Sequence, residues 1–178
     1  AEEVSGTGDY VGGIVGSNHY ASVTQCYSTG VVRGASCVGG LVGDNLYGNM
    51  INCYSTGFVT GNGSVGGLVG HNWEGSIGSS YSTGGVDGGS HVGGLVGHNS
   101  YGSIVTSYST GTVNGKRSTG GLVGETWRGN VTHCYSTGAV TGTSQVGGLV
   151  GYNWSSVTHC YSTGPVSGDD YRVGGLVG

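Results

Sequence analysis

The stretch Val38-Gly39-Gly40-Leu41-Val42-Gly43 returns every 27 residues, at Val11, Val65, Val92, Thr119, Val146 and Val173, and only Ile14 and Thr119 depart from its wording. One short unit is therefore stacked many times, and each of its positions is a column that can be read across the copies. Counting the first Val as position one, the apolar columns are Val at one, Leu at four, Val at five, Val, Ile or Met at thirteen and Val at twenty-two. Gly stands at two, three, six, twenty and twenty-four. Short β-branched runs separated by Gly, Ser, Thr and Asn predict three short strands per rung, with the glycines marking the turns. The expected fold is all-β: a parallel β-helix (β-solenoid) of about six 27-residue rungs with essentially no α-helix. A single solenoid over 1–178 divides into a partial rung at 1–10, full repeats at 11–37, 38–64, 65–91, 92–118, 119–145 and 146–172, and the start of a further rung at 173–178.

Composition excludes the competitors. Gly supplies 43 of 178 residues and Pro only one, but the glycines do not fall at every third position as collagen requires. Val, Leu, Ile and Tyr sit at fixed phases, which disfavours disorder. A helical array would lose about 1 kcal/mol at each interior Gly. The net charge is −4, and the five basic residues Arg33, Lys116, Arg117, Arg128 and Arg172 are scattered, so no stripe exists to track a phosphate backbone and no nucleic acid partner is expected. No apolar run approaches the roughly 20 residues of a membrane span.

In a stacked coil identical residues form ladders about 4.8 Å apart. Asn18, Asn45, Asn72, Asn99 and Asn153, interrupted by Thr126, are read as an amide ladder, and Tyr27, Tyr54, Tyr81, Tyr108, Tyr135 and Tyr161 as an aromatic one. The sixth copy lacks one residue after Asn153 and gains one within 169–172, both in loops, so its length stays at 27. Leu at four and Val at five are neighbours that a regular strand would point to opposite faces. Either a bend turns both inward, or one apolar column faces outward as a stripe for lateral packing.

Cys26, Cys53, Cys134 and Cys160 share a column with Ser80 and Ser107. Neighbouring rungs bring Cys26 to Cys53 and Cys134 to Cys160 within disulfide range, and buried free thiols fit the same column. Cys37 stands apart. His133 and His159 precede two of these cysteines, but adjacent strand residues diverge and cannot readily share an ion. His71 and His98 form another column, and the acids look spread over unrelated positions, so no metal site, cofactor or catalytic residue is assigned. Repeats supply six equal serines where a triad needs one special one, and an enzyme is not expected.

The loop aromatics Trp73, Trp127 and Trp154 at position nine, and Tyr20, Tyr47 and Tyr101 at position ten, form an edge suited to stacking on sugar rings. Asn62, in Asn62-Gly63-Ser64, is the triplet best placed as a glycosylation acceptor.

Gly-Leu-Val-Gly, an Asn loop, Cys-Tyr-Ser-Thr-Gly and x-Val-x-Gly, as in Gly40 to Gly61, resemble the GLUG repeat of bacterial and archaeal surface proteins. The resemblance implies a secreted or cell-surface setting in adhesin-like proteins, or a repeat region beside the peptidase domain of some surface metallopeptidases. The zinc motif His-Glu-x-x-His of those peptidases is absent here, and the family brings no catalytic residues. The expectation is a structural extracellular rod, an adhesin stalk or filament building block that self-associates by rung stacking and lateral packing. Uncapped rungs at both ends of the sequence favour stacking. A module binding carbohydrate or a host surface through the aromatic edge is the alternative. Ice binding ranks below both, since position twenty-three changes from Arg33 to Thr60 to Asp87.

Overall fold

The computed structural model describes residues 2–178 and is a parallel β-solenoid without helices. Every strand pairing is parallel, and the register follows the sequence period: Val38 lies beside Val65, Val65 beside Val92, and Tyr54 beside Tyr81. In the second copy the paired segments are Ser36–Gly39, Val42–Leu46, Asn49–Ile51, Tyr54–Ser55 and Val59–Thr60. Three corners gather them into three sides. They stand at positions ten, fifteen and twenty-seven, in this copy Tyr47 (φ 53°), Asn52 (φ 55°) and Ser64 (φ 49°).

These corners are not made of glycine. Among the described residues every left-handed φ falls on a non-glycine residue, and all of them lie in those three columns. Such a conformation costs an L-residue roughly 1–2 kcal/mol. It persists because the corner amide stays in the ladder: Tyr47 N donates to Trp73 O at 2.9 Å and Asn52 N to Gly78 O at 3.2 Å. The sequence reading that glycines mark the turns is corrected for these three corners, although the chain also bends at glycines such as Gly40 and Gly57. What the motif glycines provide is close backbone approach.

The motif itself folds inward. A Cβ on Gly39 would strike the carbonyl oxygen of Val42, and one on Gly40 would strike Ser55 Oγ on the opposite side of the rung. Leu41 N and Val42 N both donate to Leu68 O, at 2.9 and 3.1 Å, so the chain turns between them. That turn resolves the neighbouring apolar pair: Leu41 and Val42 are both fully buried in one cluster. The aliphatic stripe is interior, and lateral packing through it is ruled out.

The inward fold divides the core. Leu41, Val42, Met50 and Cys53 with their equivalents fill one lobe, while Val38 and Val59 with theirs fill the other. Burying each such aliphatic side chain is worth about 1.5–3 kcal/mol. Between the lobes, the column of Ser55, Ser82, Ser109, Ser136 and Ser162 meets the tip glycines, and its buried hydroxyls have no hydrogen-bond partner.

The amide column runs beside the first lobe. Asn18 Nδ2 donates to Asn45 Oδ1, Asn45 to Asn72 and Asn72 to Asn99, each at 2.7 Å. Each amide also donates to the carbonyl three residues on, as Asn45 does to Gly48 O at 3.1 Å. At the interruption Ser155 Oγ accepts from Thr126 Oγ1 at 3.0 Å and from Gly129 N at 2.9 Å. The register shift between Trp127 and Asn130 falls there, where the sixth copy is one residue shorter. Beyond Gly168 the pairing resumes at Val173, after the inserted residue.

Candidate binding groove and aromatic edge

Because the motif dips inward, its two outer shoulders form the walls of a groove along the rod. Position twenty-seven lines one wall and position seven the other, with position nine at the rim. A cavity of about 360 Å³ opens there between Tyr10, Cys37, Ser64, Asp44, His71, His98 and Leu46. Position seven proves to be a column of titratable groups: Asp44 pairs with His71, His71 with His98, and His98 with Glu125 in successive rungs. Two acids that look unrelated in the sequence therefore bracket the two histidines. Five residue types occupy the six places of this column, so identity gives little cue, but counting by 27 from His71 finds them all.

The contacts are specific. Asp44 Oδ1 lies 3.0 Å from His71 Nδ1, and His98 Nε2 lies 3.0 Å from Ser100 Oγ. Across the groove, His91 Nε2 is 3.0 Å from Glu125 Oε2, and its ring centroid is 5.4 Å from that of His98. Burial, with the neighbouring His71 and His91, lowers the His98 pKa to about 4. The hydrogen bond from His91 holds Glu125 below the ordinary carboxylate range. Among the described residues no three His, Cys, Asp or Glu side chains are grouped so as to hold a metal ion.

The aromatic residues of positions nine and ten stand along the groove rim and the corner beside it. Tyr20 stacks on Tyr47 at 4.6 Å, Trp73 tilts against Tyr101 at 5.5 Å and Trp127 against Trp154 at 5.4 Å. Arg128 lies over both Tyr101 and Trp127 and joins the last two groups. Tyr20 and Trp154 are 71% and 55% exposed, so ring faces remain open to solvent at both ends of this edge. Asn62 lies exposed between two strands.

The column cysteines are free thiols, and neither Cys26 with Cys53 nor Cys134 with Cys160 is bridged. Their sulfurs are turned to carbonyl oxygens: Cys26 to Thr24 O at 3.2 Å, Cys53 to Val23 O at 3.3 Å, Cys134 to Thr132 O at 3.2 Å and Cys160 to Thr158 O at 3.1 Å. Burial pushes the Cys134 thiol up to about 12, which keeps it protonated and a donor. His133 and His159 are exposed and stacked at 4.7 Å.

On the side facing away from the groove, the Tyr27, Tyr54, Tyr81, Tyr108, Tyr135 and Tyr161 rings stack in one ladder, with centroids 5.0, 5.0, 4.9, 4.9 and 5.1 Å apart and planes within 5°. The threonines two residues on, from Thr29 to Thr163, are all exposed.

A family model described as the GLUG motif matches six consecutive segments, residues 7–33, 34–60, 61–87, 88–114, 115–141 and 142–167. No curated protein and no solved structure matches the chain.

Proposed function

Because the chain belongs to the GLUG-motif family and repeats one rung without a break in its core, we propose that it is a structural extracellular rod, the shaft of an adhesin-like surface protein or a building block of a surface filament. The observation that carries this reading is the register. Pairing runs unbroken through all the copies even where the sixth loses a residue, and the loss is absorbed at a corner. An unbroken stack fits a load-bearing shaft, in which every rung is held only by its neighbours. A GLUG-repeat solenoid is a structural fold, and we assign it no catalytic role. Negative-stain microscopy of cell-surface material, labelled with antibody to this chain, should reveal label along fibres or stalks; label confined to the cell interior would sink the proposal.

The exposed edge from Tyr20 to Trp154 favours a second reading, a module retaining carbohydrate or a host surface. Trp127→Ala with Trp154→Ala should then abolish retention on a glycan array, and unchanged retention would discard it.

A further inference from the structure

We infer that the side carrying the tyrosine ladder is a lateral docking surface for a second copy of this chain. The inference rests on the rod reading above and names the face through which rods pair, a role the interior aliphatic stripe cannot fill. From Cys53 to Thr60 the chain alternates inward and outward, so that positions seventeen, nineteen and twenty-one point to solvent while Cys53, Ser55, Gly57 and Val59 are buried. The outward columns are Tyr, Thr and a mixed set of Val31, Phe58, Gly85, Thr112, Ala139 and Pro165. None of the eighteen residues is charged. Tyr27, Phe58 and Tyr161 are 57%, 41% and 54% exposed.

Three arguments point to the same chain as occupant. First, the rings repeat every 4.9 to 5.1 Å with planes within 5°. A partner can mate with every rung only if it carries the same axial repeat, as another copy does. Second, the chain has a net charge of −4, and across outward positions seventeen to twenty-three the charged residues are only Asp87 and the paired Arg33 and Glu3, so two copies approach with few like charges opposed across the contact. Third, the area suffices. Six rungs at about 4.8 Å give a length of about 30 Å, and positions seventeen to twenty-three span about 20 Å. A pair would bury roughly 1,200 Å² in total, the low end of stable interfaces. The face would be isologous, the same patch on both copies.

Sedimentation velocity of the full chain from about 1 to 500 μM should reveal reversible self-association. Thr83→Lys with Thr110→Lys places like charges at the centre of the face on exposed side chains, and should weaken association at least tenfold. Circular dichroism and solution scattering of the variant's monomer should remain those of the same rod. A wild-type chain that stays monomeric throughout, or a variant that associates as the wild type does, would overturn the inference. So would retention on an insoluble β-linked polysaccharide through this face without self-association. The scattering cross-section of the monomer tests the rod separately, so the two readings can fail independently.

Discussion

At the scale of single residues, the motif separates two kinds of buried contact that look alike in a list of columns. Ser82 Oγ is enclosed and has no partner, so it contributes desolvation without a compensating bond. Ser82→Ala should therefore leave stability within about 0.5 kcal/mol of the wild type, or raise it, in urea unfolding. Gly94 faces Ser109 across the same seam and the Gly121 carbonyl of the next rung, with no room for a methyl group. Gly94→Ala should cost about 3 kcal/mol or prevent folding, because the backbone of the neighbouring rung cannot yield. Asn72 is the opposite of Ser82: it accepts from Asn45 and donates to Asn99 and to Gly75 O. Asn72→Ala strands one donor and one acceptor in a buried column and should cost about 2–4 kcal/mol by the same measurement.

At the scale of elements, the groove wall makes the rod acid-sensitive. In the unfolded chain His98 takes up a proton near its ordinary 6.5, whereas in the folded rod it resists until about 4. Between those values the unfolded state binds more protons, so stability falls as the pH drops, by at most about 3 kcal/mol. Glu125 adds to the same trend lower down, since its stabilisation by His91 is lost as pH falls through its depressed pKa. The groups facing His98 are His71, His91, Glu125 and the Ser100 hydroxyl. Urea midpoints at pH 7 and pH 4.5 should differ in the wild type and much less in His98→Asn; an equal difference would locate the sensitivity elsewhere. This site was the least legible part of the sequence. Columns of one residue type, such as the Asn and Tyr ladders, announce themselves, and the rung length follows from them. Position seven holds Ser17, Asp44, His71, His98, Glu125 and Tyr152, so its unity exists only once the rungs are stacked. The corners were hidden for a related reason: Tyr, Asn and Ser at φ near 50° carry no local signal of a bend, while the adjacent Leu41 and Val42 satisfy both an inward and an outward reading until the turn between them is seen.

At the scale of the whole molecule, each rung depends on its neighbours, and stability should be graded along the rod. The lobes are fully buried from Val42 to Val123, whereas Val15 and Val157 near the two ends are only partly covered. Hydrogen exchange of the isolated chain should accordingly be slowest for amides between Val69 and Val123 and fastest in the first and last rungs. Uniform protection along its length would mean that the rungs do not unzip one at a time.

The amide ladder has one more consequence. From Asn18 to Asn72 each side-chain amide aims one N–H the same way, toward the higher-numbered rung, and each acceptor oxygen, from Asn45 to Asn99, points back. Their small dipoles add rather than cancel, which gives the shaft a head and a tail. A shaft of this kind is vectorial: turned end for end it does not superpose on itself, so its two axial directions are chemically distinct.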